Sequence, residues 1–177
     1  PMVERLLAAK FEVSVWGRSA AKLAPWKERG LRIAGSAKDL ACHCDVVITC
    51  VTDTNAIEEL VFGHDGIAES NKATLLIDHS TIHPVATQQF AERLDKANGM
   101  KWLDIPVSGG PIGVENGTLI GMAGGSEAGL KAVTSILASY TKQVTRMGDV
   151  GAGQATKVVN QMVIGGNIAV LAEALNY

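Results

Sequence analysis

Between residues 11 and 147 short apolar runs alternate with longer charged or amphipathic stretches, and this rhythm restricts the fold more than any other feature. The run 45–51 (DVVITCV) is apolar on consecutive residues. Both of its faces need cover, which a strand inside a parallel sheet obtains from helices packed above and below it. The alternation predicts an α/β chain with a doubly wound sheet. Helices are expected over 2–10, 19–29 (opened by a Ser19 cap), 36–42, 55–62, 84–97 and 126–138. Strands are expected over 11–16, 31–34, 45–51, 74–78, 101–105, 118–123 and 142–147, with 45–51 fully buried. From about Ala152 the chain reads as helix to its last residue.

With 177 residues, 47% of them hydrophobic and 19% charged, the chain buries a full core without disulfides or metal. One domain is expected, with the start of another. A formal net charge of −2 and scattered Lys and Arg give no basic stripe, which argues against nucleic acid as a partner. No apolar run reaches the ~18 uncharged residues of a membrane span. The last stretch also carries Asn160, Gln161, Asn167 and Glu173, so no membrane partner is expected. Cys42, Cys44 and Cys50 fit buried, reduced thiols in a cytoplasmic protein. Cys42, His43 and Cys44 are spaced too tightly for a zinc knuckle and have no second ligand pair, so no metal is expected.

Two segments carry the chemistry. In 151–175 (GAGQATKVVNQMVIGGNIAVLAEAL), Lys157 stands one helical turn before Asn160 and Gln161. Its neighbours Val158, Val159, Met162, Val163 and Ile164 predict a buried helix and argue against a lysine snorkelling to water. In 104–113 (DIPVSGGPIG), an extended apolar run breaks into Ser108, Gly109 and Gly110, where bare backbone N–H groups suit an anion. A glycine pair alone marks only a turn. Together the two segments predict a proton donor facing a carboxylate cradle.

A doubly wound nucleotide-binding sheet starts with a strand and a glycine-rich turn before its first helix. This chain opens inside that helix, with Pro1 suited to the first turn, and reads as a fragment. About 20 residues beyond such a turn, an Asp or Glu normally bonds the adenosine ribose. Gly17 and Arg18 hold that place here. A small residue followed by Arg leaves room and charge for a 2′-phosphate, which favours NADP and leaves NAD open.

On these residues the chain resembles the β-hydroxyacid dehydrogenase family, which includes 3-hydroxyisobutyrate dehydrogenases, tartronate semialdehyde reductases and 6-phosphogluconate dehydrogenases. The likeness is strongest in 104–125 (DIPVSGGPIGVENGTLIGMAGG), 151–161 (GAGQATKVVNQ) and 77–84 (IDHSTIHP). The resemblance implies an N-terminally truncated, Rossmann-type dinucleotide-binding domain over 1–150. It implies that 151–177 begins an interdomain helix leading to a helical domain outside this chain. By the same likeness Lys157 is the general acid and base, Ser108, Gly109 and Gly110 hold the substrate carboxylate, and Asn160 and Gln161 orient the substrate. Val51, Thr52, Asn55 and Thr81 then contact the dinucleotide, and Arg18 its phosphate.

The implied cofactor is NADP, or NAD, and the implied substrate a small semialdehyde or hydroxyacid bearing a carboxylate. The full-length protein is expected to be a homo-oligomer, and the chain by itself inactive and without measurable cofactor binding. Asn160 and Gln161 resemble the tartronate semialdehyde reductases more than the 6-phosphogluconate dehydrogenases. A 6-phosphogluconate dehydrogenase-like enzyme and a non-catalytic nucleotide-binding module on the same fold remain alternatives.

Other conspicuous residues receive structural readings. His79 and His83 are expected at the surface or behind the site, His83 as a helix entry before Pro84. Met100, Met122, Met147 and Met162 are expected to fill core. Trp16 and Trp102 should pack in strands, with Trp26 partly exposed.

Overall fold

Strands β4 (Leu75–Asp78) and β5 (Lys101–Asp104) lie side by side in parallel, and their side chains divide the protein into two cores. Successive residues of a strand point to opposite faces. Leu76 and Trp102 therefore enter one core, while Leu75, Ile77 and Leu103 enter the other. The first core is closed by α3 (Ala37–Ala41), α4 (Thr54–Phe62), α5 (Pro84–Asn98) and the 3-10 turn Ile67–Glu69. The second is closed by α1 (Met2–Ala8), α8 (Thr134–Ala138) and Tyr140. The structure is a computed structural model and describes residues 1–177.

Strand β3 (Val46–Thr49) pairs in parallel with the far edge of β4. Beyond β5 the sheet changes direction. β7 (Leu119–Gly124) runs antiparallel to β5 and to β6 (Val107–Ser108), and parallel to β8 (Thr141–Gly148). β1 (Ser14–Val15) and β2 (Arg32–Ile33) form a separate parallel pair. The architecture is α/β with a mixed central sheet.

Local chemistry sets the helix starts. Ser36, Asp53 and Ser126 accept the backbone N–H groups of Asp39, Ala56 and Gly129, capping α3, α4 and α7 (Glu127–Ala132). Pro84 opens α5 behind His83, and Gly99, at φ 79°, ends it in the left-handed conformation.

Several expectations are corrected. The strand expected over 11–16 is paired only at Ser14 and Val15, and Ser19 opens α2 (Ala20–Glu28) without a side-chain cap. β3 alternates between half-buried and buried residues instead of being fully buried, because it is the edge strand of the six-stranded sheet. The expected helix 126–138 divides into α7 and α8 where Val133, 1% exposed, turns into the second core. β6 and α6 (Gly110–Glu115) were not anticipated inside the glycine-rich stretch.

Met147 and Met162 are exposed, at 43% and 70%, and none of the three cysteines is buried. Helix α9 (Ala152–Asn176) is buried only at its start, and Val158, Val159, Met162, Val163 and Ile164 are all exposed. Its apolar composition signals a face to be covered, not a partner within these residues. With 25 residues and a mean hydropathy of 1.4 over an 18-residue stretch, α9 is also long and apolar enough to cross a membrane by length and composition alone, which counting uncharged residues overlooked.

Candidate active site

Helix α9 begins where β5 and β7 end. Gly151, in the left-handed region at φ 93°, holds the cap position but has no side chain to receive the orphan amides of the first turn. Asp104 supplies the missing acceptor from the end of β5: one oxygen accepts Gly151 N–H at 2.8 Å and the other Gln154 N–H at 2.9 Å. The approach is close, since a Cβ on Gly153 would lie 2.4 Å from the carbonyl oxygens of both Asp104 and Met122. Burial pushes the Asp104 carboxyl above its ordinary value, while these amide bonds pull it back.

This anchoring directs Lys157 onto β6. The side chain is buried at 7% exposure, and Nζ donates to the Val107 carbonyl at 2.9 Å. Burial lowers its pKa below that of a free lysine. An ammonium has three N–H donors, so donors remain for another oxygen. Val107 immediately precedes Ser108, which is half-buried, and the exposed Gly109 and Gly110, with φ of 129° and 62°. The lysine and the Ser-Gly-Gly bend are thus brought together. Asn160 and Gln161 follow on α9, half-buried and exposed, in a weak 3.4 Å contact with each other.

A polar network joins this region to the ends of β3 and β4. Ser80 Oγ accepts Val51 N–H at 2.9 Å, Ser80 N–H donates to Asp78 Oδ1 at 2.9 Å, and the Ser80 carbonyl accepts from Gln154 Nε2 at 2.7 Å. Thr49 Oγ1 also donates to Asp78 Oδ1, at 3.0 Å, leaving Oδ2 buried without a partner. Burial raises the Asp78 carboxyl to about 6. His79 is buried, which corrects the surface alternative expected for it. Its Nδ1 lies 2.6 Å from the Ile105 carbonyl and its Nε2 2.9 Å from the Tyr140 hydroxyl, and burial pulls its pKa down to about 4. His83 is exposed at the start of α5.

A cavity of about 610 Å³ runs along β3 to the residues that follow β1 and β3. Trp16, Gly17, Arg18, Cys50 and Val51 line it, and Arg18 is exposed. Its volume lies within the ~300–1,000 Å³ of small-molecule and cofactor sites, at the ends of parallel strands where such sites form. A dinucleotide fits these residues in part: an exposed guanidinium beside Gly17 suits an anionic group. Thr52, Asn55 and Thr81 are exposed outside the cavity lining. Lys157 does not line it either, and the bridge between the two places is Val51–Ser80–Gln154.

Sequence reasoning missed Asp104, Gln154, Ser80 and Asp78. One signal was available: a helix opening on Gly151-Ala152-Gly153 has no side chain to cap it, so a distant acceptor was required, and Asp104 is the lone carboxylate in its apolar run.

The mixed α/β sheet and the cavity beyond its parallel strands define a Rossmann-like nucleotide-binding domain. Residues 1–148 match the family described as the NAD binding domain of 6-phosphogluconate dehydrogenase, and the chain belongs to this family, within the β-hydroxyacid dehydrogenases. It is 37% identical over 141 residues to the 2-hydroxy-3-oxopropionate reductase of Escherichia coli (strain K12), covering 79% of this chain and 48% of that protein. An oxidoreductase of Shewanella frigidimarina (strain NCIMB 400) is 37% identical over 179 residues, 100% of this chain and 61% of that one. The solved 3-hydroxyisobutyrate dehydrogenase of Mycobacterium tuberculosis with L-serine superposes at a TM-score of 0.90, with 32% identity, over 98% of this chain and 59% of that one. The chain therefore spans between about half and three fifths of the length of such relatives.

Proposed function

We propose that this protein is an NAD(P)-dependent β-hydroxyacid dehydrogenase that interconverts a short semialdehyde bearing a carboxylate, such as 2-hydroxy-3-oxopropionate, and its hydroxyacid. The observation that carries this reading is the 2.9 Å bond from the buried Lys157 ammonium to Val107, the residue before the Ser-Gly-Gly bend. The nicotinamide cofactor, when bound, supplies or accepts the hydride. In reduction, Lys157 hydrogen-bonds the aldehyde oxygen and gives it a proton as negative charge develops there. In oxidation it takes the hydroxyl proton back. The bend at Ser108, Gly109 and Gly110 receives the carboxylate, and Asn160 and Gln161 orient the remainder. Val51, Thr52, Asn55 and Thr81 contact the dinucleotide. Arg18, beside the small Gly17, favours a 2′-phosphate and hence NADP.

The experiment follows NADPH consumption with a panel of short semialdehydes in the whole protein. Lys157→Ala is expected to lower turnover ~10²–10⁴-fold while the NADPH Kd stays within about twofold. Undiminished turnover in that variant would overturn the role of the lysine. Cofactor binding without consumption across the panel would instead point to a non-catalytic module.

A further inference from the structure

We infer that Gln154 is a positioning residue for Lys157, an amide strut that locks the lysine helix to the loop carrying Thr81. The inference rests on the reading of Lys157 as proton donor. Gln154 is fully buried, and both ends of its amide are engaged: Oε1 accepts Ile82 N–H at 3.1 Å and Nε2 donates to the Ser80 carbonyl at 2.7 Å. These groups flank Thr81, so a single side chain fixes the backbone on both sides of that exposed residue. The Gln154 main chain is fixed as well, through its N–H to Asp104. Side chains three apart on a helix share a face, so the strut and the lysine lie one turn from each other.

A buried amide is expensive to desolvate, and this one offsets that cost by satisfying the Ser80 carbonyl and Ile82 N–H, which an apolar residue of the same size would leave unpaired. What the amide adds is direction. Through Ser80, whose hydroxyl accepts Val51 N–H, the strut reaches a residue lining the cavity. The distance between the cofactor-side loops and the Lys157 ammonium is thereby set by hydrogen bonds of fixed length. A displacement of about 1 Å in such a site can lower a rate by ~10²-fold without loss of binding.

The test compares Gln154→Met and Gln154→Glu with wild type and Lys157→Ala in the whole protein, at a temperature where melts show the variants folded. Methionine fills similar volume but leaves the Ser80 carbonyl and Ile82 N–H unpaired. Gln154→Met is expected to lose ~10–100-fold in kcat, with KM and the NADPH Kd within about threefold. Glutamate keeps both bonds only while protonated, since an ionised carboxylate would face the Ser80 carbonyl. Gln154→Glu is therefore expected to approach wild-type kcat at the acid end and to lose it, reversibly, as pH rises. The other titrating groups around the strut are Asp104, Asp78, His79 and Lys157, and the wild-type profile supplies their baseline.

If Gln154→Met does not fold, the reversible pH response of Gln154→Glu decides alone. Wild-type kcat and pH profile in the folded variants, with Lys157→Ala inactive, overturn the strut. A loss that tracks only the folded fraction overturns it too. Full turnover in Lys157→Ala overturns instead the reading on which it rests.

Discussion

Asp104 receives the backbone N–H of Gln154 at 2.9 Å across 50 residues of sequence, and with its other oxygen that of Gly151 at 2.8 Å. The start of α9 is thus held by a strand. A helix N-terminus carries partial positive charge, so a carboxylate there satisfies two orphan donors and the helix dipole together.

Asp104→Ala is expected to destabilise the fold by about 2–3 kcal/mol, because two buried amides lose charged acceptors. Asp104→Asn, which keeps one acceptor oxygen, should lose about half as much. Urea unfolding measures both. An unchanged midpoint for Asp104→Ala would show that water or a neighbour replaces the cap at no cost.

The short strand-like runs 74–78 and 101–105 were enough to place β4 and β5, and Pro84 was enough to open α5, because those signals are local. That Lys157 needs an oxygen partner was also legible, since a lone cation among apolar residues calls for one, and the Val107 carbonyl beside Ser108 supplies it. Gln154 was silent, because its partners lie 72 and 74 residues away and leave no periodicity behind. The exposed length of α9 misled for a related reason. Apolar composition says that a face seeks cover but not where the cover lies.

Asp78 makes stability depend on pH. Burial raises its carboxyl from 3.8 to about 6, so between those values the folded protein holds a proton that the unfolded chain has released. Its contribution is complete below about pH 4 and is lost as pH rises through 6. At ~1.4 kcal/mol per pKa unit the loss is on the order of 2–3 kcal/mol. Asp78→Asn should therefore gain stability relative to wild type between pH 4 and pH 8. His79, whose pKa is lowered to about 4, acts in the opposite sense, losing stability as pH falls below 6.5, and cancels when the two proteins are compared. A difference in unfolding free energy that stays flat with pH would sink this account.

The Ile105 carbonyl fixes the tautomer of His79, and Tyr140 answers it. The Ile105 carbonyl can only accept, so Nδ1 carries the proton and Nε2 accepts the Tyr140 hydroxyl. Tyr140→Phe leaves Nε2 buried and unpaired and should cost about 1–2 kcal/mol. Thermal unfolding reads the loss, and imidazole nitrogen NMR reads the tautomer. A wild-type melting temperature in Tyr140→Phe, or a proton on Nε2, would contradict the assignment.

The proton-donor reading of Lys157 predicts opposite pH limbs for the two reaction directions. Burial disfavours the ammonium, so the lysine titrates below its usual 10.5. Reduction needs the charged form and should fall as pH rises through that pKa, whereas oxidation needs the neutral amine and should rise through it. A bound substrate carboxylate would favour the ammonium, so the limb in kcat should lie at higher pH than the limb in kcat/KM, which reports the free enzyme. Arginine stays charged throughout this range. Lys157→Arg should accordingly abolish the alkaline fall in whatever reduction survives and remove the rise in oxidation. Profiles of both directions decide the matter: a limb that persists unchanged in Lys157→Arg belongs to another group, and the lysine would then only hold the substrate.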